Sequence, residues 1–212
     1  MLPAKRLFGT LVFSTLSTAA LAHHPMGGET PSTLSAGLLS GIGHPIIGLD
    51  HLAFILAVGI AATVTGRRFL MPLAFVAATV AGTLLHLQSI GLPFVEIAVA
   101  LSVAALGALL MSGRSVSPVV YAGVFALAGL FHGHAYGEAI FGAEATPVLA
   151  YLAGFGLTQY LIAIGAGAVF SAVAGLARPS ASDMAPRLSG AMVAGVGVLL
   201  VGEHVLAIAG LA

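Results

Sequence analysis

His44-Pro45-Ile46-Ile47-Gly48-Leu49-Asp50-His51 runs directly into Leu52-Ala53-Phe54-Ile55-Leu56-Ala57-Val58-Gly59-Ile60-Ala61-Ala62-Thr63-Val64, and Gly66-Arg67-Arg68 follows. Residues 46–65 make an apolar stretch of about 20 residues, the length a helix needs to cross a hydrocarbon core of about 30 Å. Asp50 and His51 lie inside it, where an ionisable group is costly and usually has a task. The rest of the chain repeats the pattern. Turn signals and charges mark further apolar stretches near 70–89, 93–112, 117–135, 147–173 and 188–210. Hydrophobic residues make up 59% of the 212 and charged residues only 7%. A soluble domain carries about a quarter charged residues, so lipid must be the main solvent here. The expected fold is all-α: a polytopic transmembrane bundle of about six spans, with the lipid bilayer as its surroundings.

Composition also excludes chemistry. The chain has no cysteine, so disulfides, thiolate metal sites and cysteine nucleophiles are ruled out. There is no basic run to meet nucleic acid. Residues 1–22 read as a cleaved secretory signal: Lys5 and Arg6, an apolar stretch to Ala19, then Ala20-Leu21-Ala22. Residues 23–45 then form a segment outside the cytoplasm, and 46–212 a membrane domain. Residues 34–43 are apolar but short, fitting a half helix, a re-entrant segment or an outer extension of the first span kinked at Pro45.

Arginines orient the bundle. Arg67 and Arg68 follow the first span, Arg114 the third, and Arg178 and Arg187 the fifth. The intervening loops, near 89–93 and 136–146, carry no Lys or Arg. Short basic loops stay cytoplasmic, so both chain ends belong outside, as the signal segment independently requires. Every histidine then falls at or beyond the outer end: His23, His24, His44, His51, His86, His132, His134 and His204. Asp50, Glu96, Glu138 and Glu203 lie at the same level.

Imidazole and carboxylate together suit divalent first-row metals. Spacing limits how they can share an ion. On an unbroken helix His44 and His51 are about 10 Å apart, too far for one ion unless Pro45 or Gly48 bends the chain. His132 and His134 point in nearly opposite directions on a regular helix. Gly133 and Gly137 suggest local unwinding there, which is tolerated where backbone lines a cavity. The candidate ligands are His44, Asp50, His51, His132, His134, Glu138, His23, His24, His86, Glu203 and His204, arranged as one cluster or as two successive stations.

Two motifs carry a resemblance. His44, five residues, then Asp50-His51 resembles the first signature of the HupE/UreJ family. Phe131-His132-Gly133-His134-Ala135-Tyr136-Gly137-Glu138 resembles its second. The chain departs from the second signature at Tyr136, where the familiar form has its later histidine, and Glu138 is displaced by one position. The resemblance implies a bacterial inner-membrane permease for nickel, or in some members cobalt, often supplying hydrogenase or urease; zinc stays open from the ligand types alone. It brings in His44, Asp50, His51 and His132 as site residues. The ion is substrate, and no prosthetic group is implied. No phosphate-binding loop is present, so coupling falls to the membrane potential or to the ion gradient. Histidine ligands predict weaker uptake as pH falls through about 6 to 7. The rival readings are an intramembrane zinc hydrolase, with histidines holding the ion and a carboxylate activating water, and an accessory protein that binds metal without moving it. The oligomeric state is not legible.

Overall fold

A computed structural model describes residues 29–176 and 184–211. The signal segment, His23, His24 and Arg178 lie outside the described residues. Within them the chain is all-helical: α1 (Leu34–Ile47), α2 (Leu49–Val64), α3 (Leu70–Leu87), α4 (Val95–Met111), α5 (Pro118–Glu138), α6 (Ala145–Leu176) and α7 (Ala185–Ile208). Helices α3, α5, α6 and α7 are each long and apolar enough to cross a membrane. The pair α1–α2 passes the same test taken together, as a broken span or a re-entrant loop, and α4, with 17 residues, is a shorter apolar helix. The protein is therefore a multi-pass membrane protein.

The short apolar stretch at 34–43 is helical, as the half-helix reading expected, and it runs on past residue 46 to Ile47. Helices α1 and α2 are bent by 77° to one another, with Gly48 as the joint in an extended conformation (φ −72°, ψ 110°). Pro45 is not the break; it lies inside the last turn of α1. A proline lacks the N–H that the preceding turn would use, but this close to a helix end it interrupts little. The boundary drawn at residue 45 thus falls within α1, which starts at a Thr33 cap whose hydroxyl accepts the Ala36 N–H at 3.1 Å.

Small residues set the packing. A Cβ on Gly37 would lie 2.4 Å from the Pro147 carbonyl oxygen, and one on Gly41 2.3 Å from that of Tyr151. Helix α1 therefore runs with its backbone against the N-terminal part of α6. Farther along the pair, Gly59 of α2 meets Ala163. Gly107, Gly190 and Gly197 bring α4 and α7 together in the same way. Without a hydrophobic drive between helices in lipid, such close approach provides the contact. Helix α2 is the centre of the bundle: Phe54, Ile55, Ala57, Val58, Ala61 and Ala62 are fully buried. Leucines and valines of α6 and α7, among them Leu149, Leu157, Val169, Leu188 and Leu199, face outward, as lipid-facing positions should.

Helix α5 is continuous through Gly133 and Gly137, so the expected unwinding is absent. The two glycines serve α3 instead. A Cβ on Gly133 would lie 2.0 Å from the Thr79 carbonyl oxygen, and one on Gly137 2.5 Å from the His86 Cβ. Gly129 meets Ala78 on the same face, giving a stripe at four-residue spacing that one helix face presents.

The described arginines gather at one end. Arg67 and Arg68 join α2 to α3, Arg114 joins α4 to α5, and Arg187 starts α7, where its Nε donates to the Met111 carbonyl at 3.3 Å. A hollow of about 380 Å³ there is lined by Thr65, Arg114, Tyr121 and Arg187. The histidine-bearing helix ends point the other way.

Candidate metal centre

The bend at Gly48 decides the geometry. It turns two residues that a straight helix would hold about 10 Å apart into neighbours: the His44 and His51 rings are 5.6 Å apart, edge to face. His44 comes from the last turn of α1 and His51 from the first turn of α2. His132 approaches from α5, and its Nδ1 lies 2.8 Å from the His51 Nδ1. All three are closed from solvent, at 2%, 1% and 0% exposure. An ion can reach them only when the packing around them opens.

Asp50 is buried beside them. Its Oδ1 accepts the His51 backbone N–H at 2.7 Å, at a helix N-terminus whose dipole favours a carboxylate. The opposite half-helix end belongs to α1, whose C-terminal carbonyls present partial negative charge. Broken spans in transporters use such carbonyl ends toward cations.

Three hydroxyl residues complete the cluster. Tyr136 stacks on His51 at 4.2 Å and meets His44 edge-on at 4.8 Å. Its own hydroxyl is buried without a hydrogen-bond partner. Tyr151 of α6 donates to the Tyr136 carbonyl at 2.8 Å, and its oxygen lies 2.7 Å from the His44 Nδ1. With the tyrosine proton on the carbonyl, the imidazole donates here. Ser102 of α4 lies 2.9 Å from the His132 Nε2. Beneath this layer Phe54 and Phe75 pack on the His132 ring, at 4.6 and 5.8 Å. They form an apolar floor between the histidines and the arginine end.

His134 diverges from His132, as a regular helix requires. Its Nδ1 lies 3.3 Å from the His86 Nδ1. The loop between α3 and α4 folds over it: Leu92 N–H donates to His134 Nε2 at 3.3 Å, and the Ile90 carbonyl lies 3.1 Å away. That loop holds Ser89 and Phe94 at positive φ, which non-glycine residues rarely adopt. Glu138 is exposed and lies within electrostatic reach of His86; it does not join the His132 cluster. His204 and Glu96 pair at 3.8 Å across α7 and α4, both partly exposed. Glu203 is half-buried on the same turn.

The expected residues within the described range thus fall into three groups: His44, Asp50, His51 and His132; His86 and His134, with Glu138 in electrostatic reach; and Glu96 with His204, beside Glu203. Among the described residues no three His, Asp or Glu side chains are already disposed to hold one ion. Sequence reasoning missed Tyr151 and Ser102. Ser102 left a signal, being the only hydroxyl residue of α4. Tyr151 left a weaker one, a phenol near the N-terminal end of an apolar helix.

The comparisons agree with the motifs. The family model described as HupE / UreJ protein matches residues 11–200. The protein HupE of Rhizobium leguminosarum bv. viciae is 35% identical over 197 residues, covering 91% of this chain and 97% of that one. No solved structure gives a significant match. With the first signature at the bent α1–α2 pair meeting the second on α5, and a family match over most of its length, the chain belongs to the HupE/UreJ family.

Proposed function

We propose that the protein is a bacterial inner-membrane permease that takes up a divalent transition metal, nickel first and cobalt or zinc as alternatives. The observation that carries this reading is the meeting of His44, His51 and Asp50 at the break of a half-helix pair, against His132. Family membership adds its association with nickel and cobalt handling. Counting the pair α1–α2 as one span and α4 as another makes six. The arginine end then faces the cytoplasm, and both chain ends face the periplasm. The signal segment and the His23-His24 tail fit the same orientation.

A hydrated ion meets His86, His134 and Glu138 first, at the outer rim. It sheds water as it moves to His44, Asp50 and His51. Asp50 supplies negative charge, and neutral imidazoles supply lone pairs, which this class of ion accepts. The ring of Tyr136 packs on both imidazoles, and its buried hydroxyl offers a further oxygen donor. Inward passage requires Phe54 and Phe75 to part, so closure around the histidines and the aromatic floor together favour an alternating path over an open pore.

Changing Asp50→Ala or His51→Ala abolishes nickel accumulation by whole cells while the amount of membrane-inserted protein stays normal. Accumulation unchanged in both variants would sink the reading. An accessory protein that only binds metal gives no uptake in vesicles even with the natural sequence.

A further inference from the structure

Ser102 stands outside both motifs, yet its hydrogen bonds dictate which nitrogen His51 can offer. Its hydroxyl oxygen lies 2.7 Å from the Val99 carbonyl oxygen, one turn back on α4. Two oxygens that close need a proton between them, and only serine has one to give. The serine proton is therefore committed to Val99, in the local back-bond that helix serines form. The 2.9 Å contact between Ser102 Oγ and His132 Nε2 must then use a proton on the histidine. His132 is fully buried, where a neutral ring is strongly favoured over a charged one. A neutral imidazole has one N–H, so with Nε2 protonated its Nδ1 carries a lone pair. The 2.8 Å contact between the two Nδ1 atoms takes one proton, and His51 must supply it. His51 is then the Nδ1–H tautomer, and its lone pair sits on Nε2.

We propose that Ser102 and His132 act as positioning residues that hold His51 in the tautomer presenting Nε2 to the metal ion. This rests on the permease reading for the identity of the ion, but not for the tautomers. The hydrogen-bond direction runs from His51 through His132 and Ser102 to the Val99 carbonyl, a fixed backbone acceptor. Metal-ligating imidazoles are oriented in this way by the partner of their other nitrogen. His132 is then a residue behind the ligand, and Ser102 sets its direction.

The test is nitrogen NMR on the full protein in lipid nanodiscs, labelled with ¹⁵N at histidine, first without metal. Protonated and bare ring nitrogens differ widely in shift. The expected spectrum has His51 protonated on Nδ1 and His132 on Nε2. Added zinc, which is diamagnetic, moves the Nε2 signal of His51. Ser102→Ala removes the acceptor, redistributes the His132 and His51 tautomers, and raises the KM for nickel about 10-fold, the lower end for such outer partners. Ser102→Thr keeps a hydroxyl and restores both. A proton on His51 Nε2 in the natural protein overturns the proposal, as does a zinc shift confined to the two Nδ1 atoms, or a Ser102→Ala spectrum identical to the original. If the spectra are as expected but vesicles bearing the natural protein take up no nickel, the positioning chain stands and the transport reading falls.

Discussion

Tyr136 occupies the point where the chain leaves its family pattern, and its surroundings are those of a site residue. The ring packs against His44, His51 and Phe155. The hydroxyl is buried, within electrostatic reach of Asp50 and Tyr151, and has no hydrogen-bond partner. A buried orphan hydroxyl costs about 1–3 kcal/mol, and such groups call for a function. Tyr136→Phe is expected to leave thermal stability equal or slightly higher, since an unsatisfied group is removed. Nickel uptake at equal protein level falls about 10-fold, the scale on which groups near a metal act. Uptake matching the natural protein would remove the phenol from the site. At this scale the sequence was informative about residue types and less so about partners. The rarity of His44, Asp50, His51 and His132 in an apolar chain singled them out. That Tyr151 and Ser102 would orient those imidazoles was not legible, because both lie on other helices and ordinary hydroxyls carry no spacing signal.

At the level of helices, two glycine-bearing features shape the site. Gly48 lets α1 and α2 meet at an angle, and the α5 stripe of Gly129, Gly133 and Gly137 seats α5 on α3. From sequence, Pro45 or Gly48 could bend the first pair and Gly133 with Gly137 could unwind α5; only the bend at Gly48 is present. Glycine permits both a bend and a close approach, and only the neighbouring helix reveals which applies. The α5 stripe is testable with an internal control. Gly133→Ala places a Cβ 2.0 Å from the Thr79 carbonyl oxygen, whereas a Cβ on Gly123 of the same helix meets nothing within 4 Å. Gly133→Ala is expected to destabilise the protein by about 1–3 kcal/mol, as overpacking does, and to lower the monodisperse fraction in detergent. Gly123→Ala should behave as the natural protein. Equal stability of the two variants would contradict the packing described.

At the scale of the whole molecule, the described residues are polarised along the bundle axis, with histidines and carboxylates toward one end and arginines at the other. The arrangement was largely readable beforehand, because apolar length and arginine placement are local signals. The closure of the histidine cluster was not, since it depends on how α1, α5 and α6 meet. The absence of cysteine makes the orientation simple to check. Single cysteines at Gly91 and Gly142 should react with an impermeant thiol reagent added to intact spheroplasts. Cysteines at Gly66 and Ser115 should react only after lysis. The reverse pattern would invert the uptake direction. The central claim, that the chain alone moves a divalent metal through the His44–Asp50–His51 cluster, is tested most directly in purified proteoliposomes. Uptake of nickel, cobalt and zinc is measured in one preparation, beside vesicles carrying His51→Ala. The account predicts saturable uptake of nickel or a sister ion by the natural protein, and uptake at the protein-free level with His51→Ala. Equal uptake by the two preparations, or none by the natural protein, would contradict it.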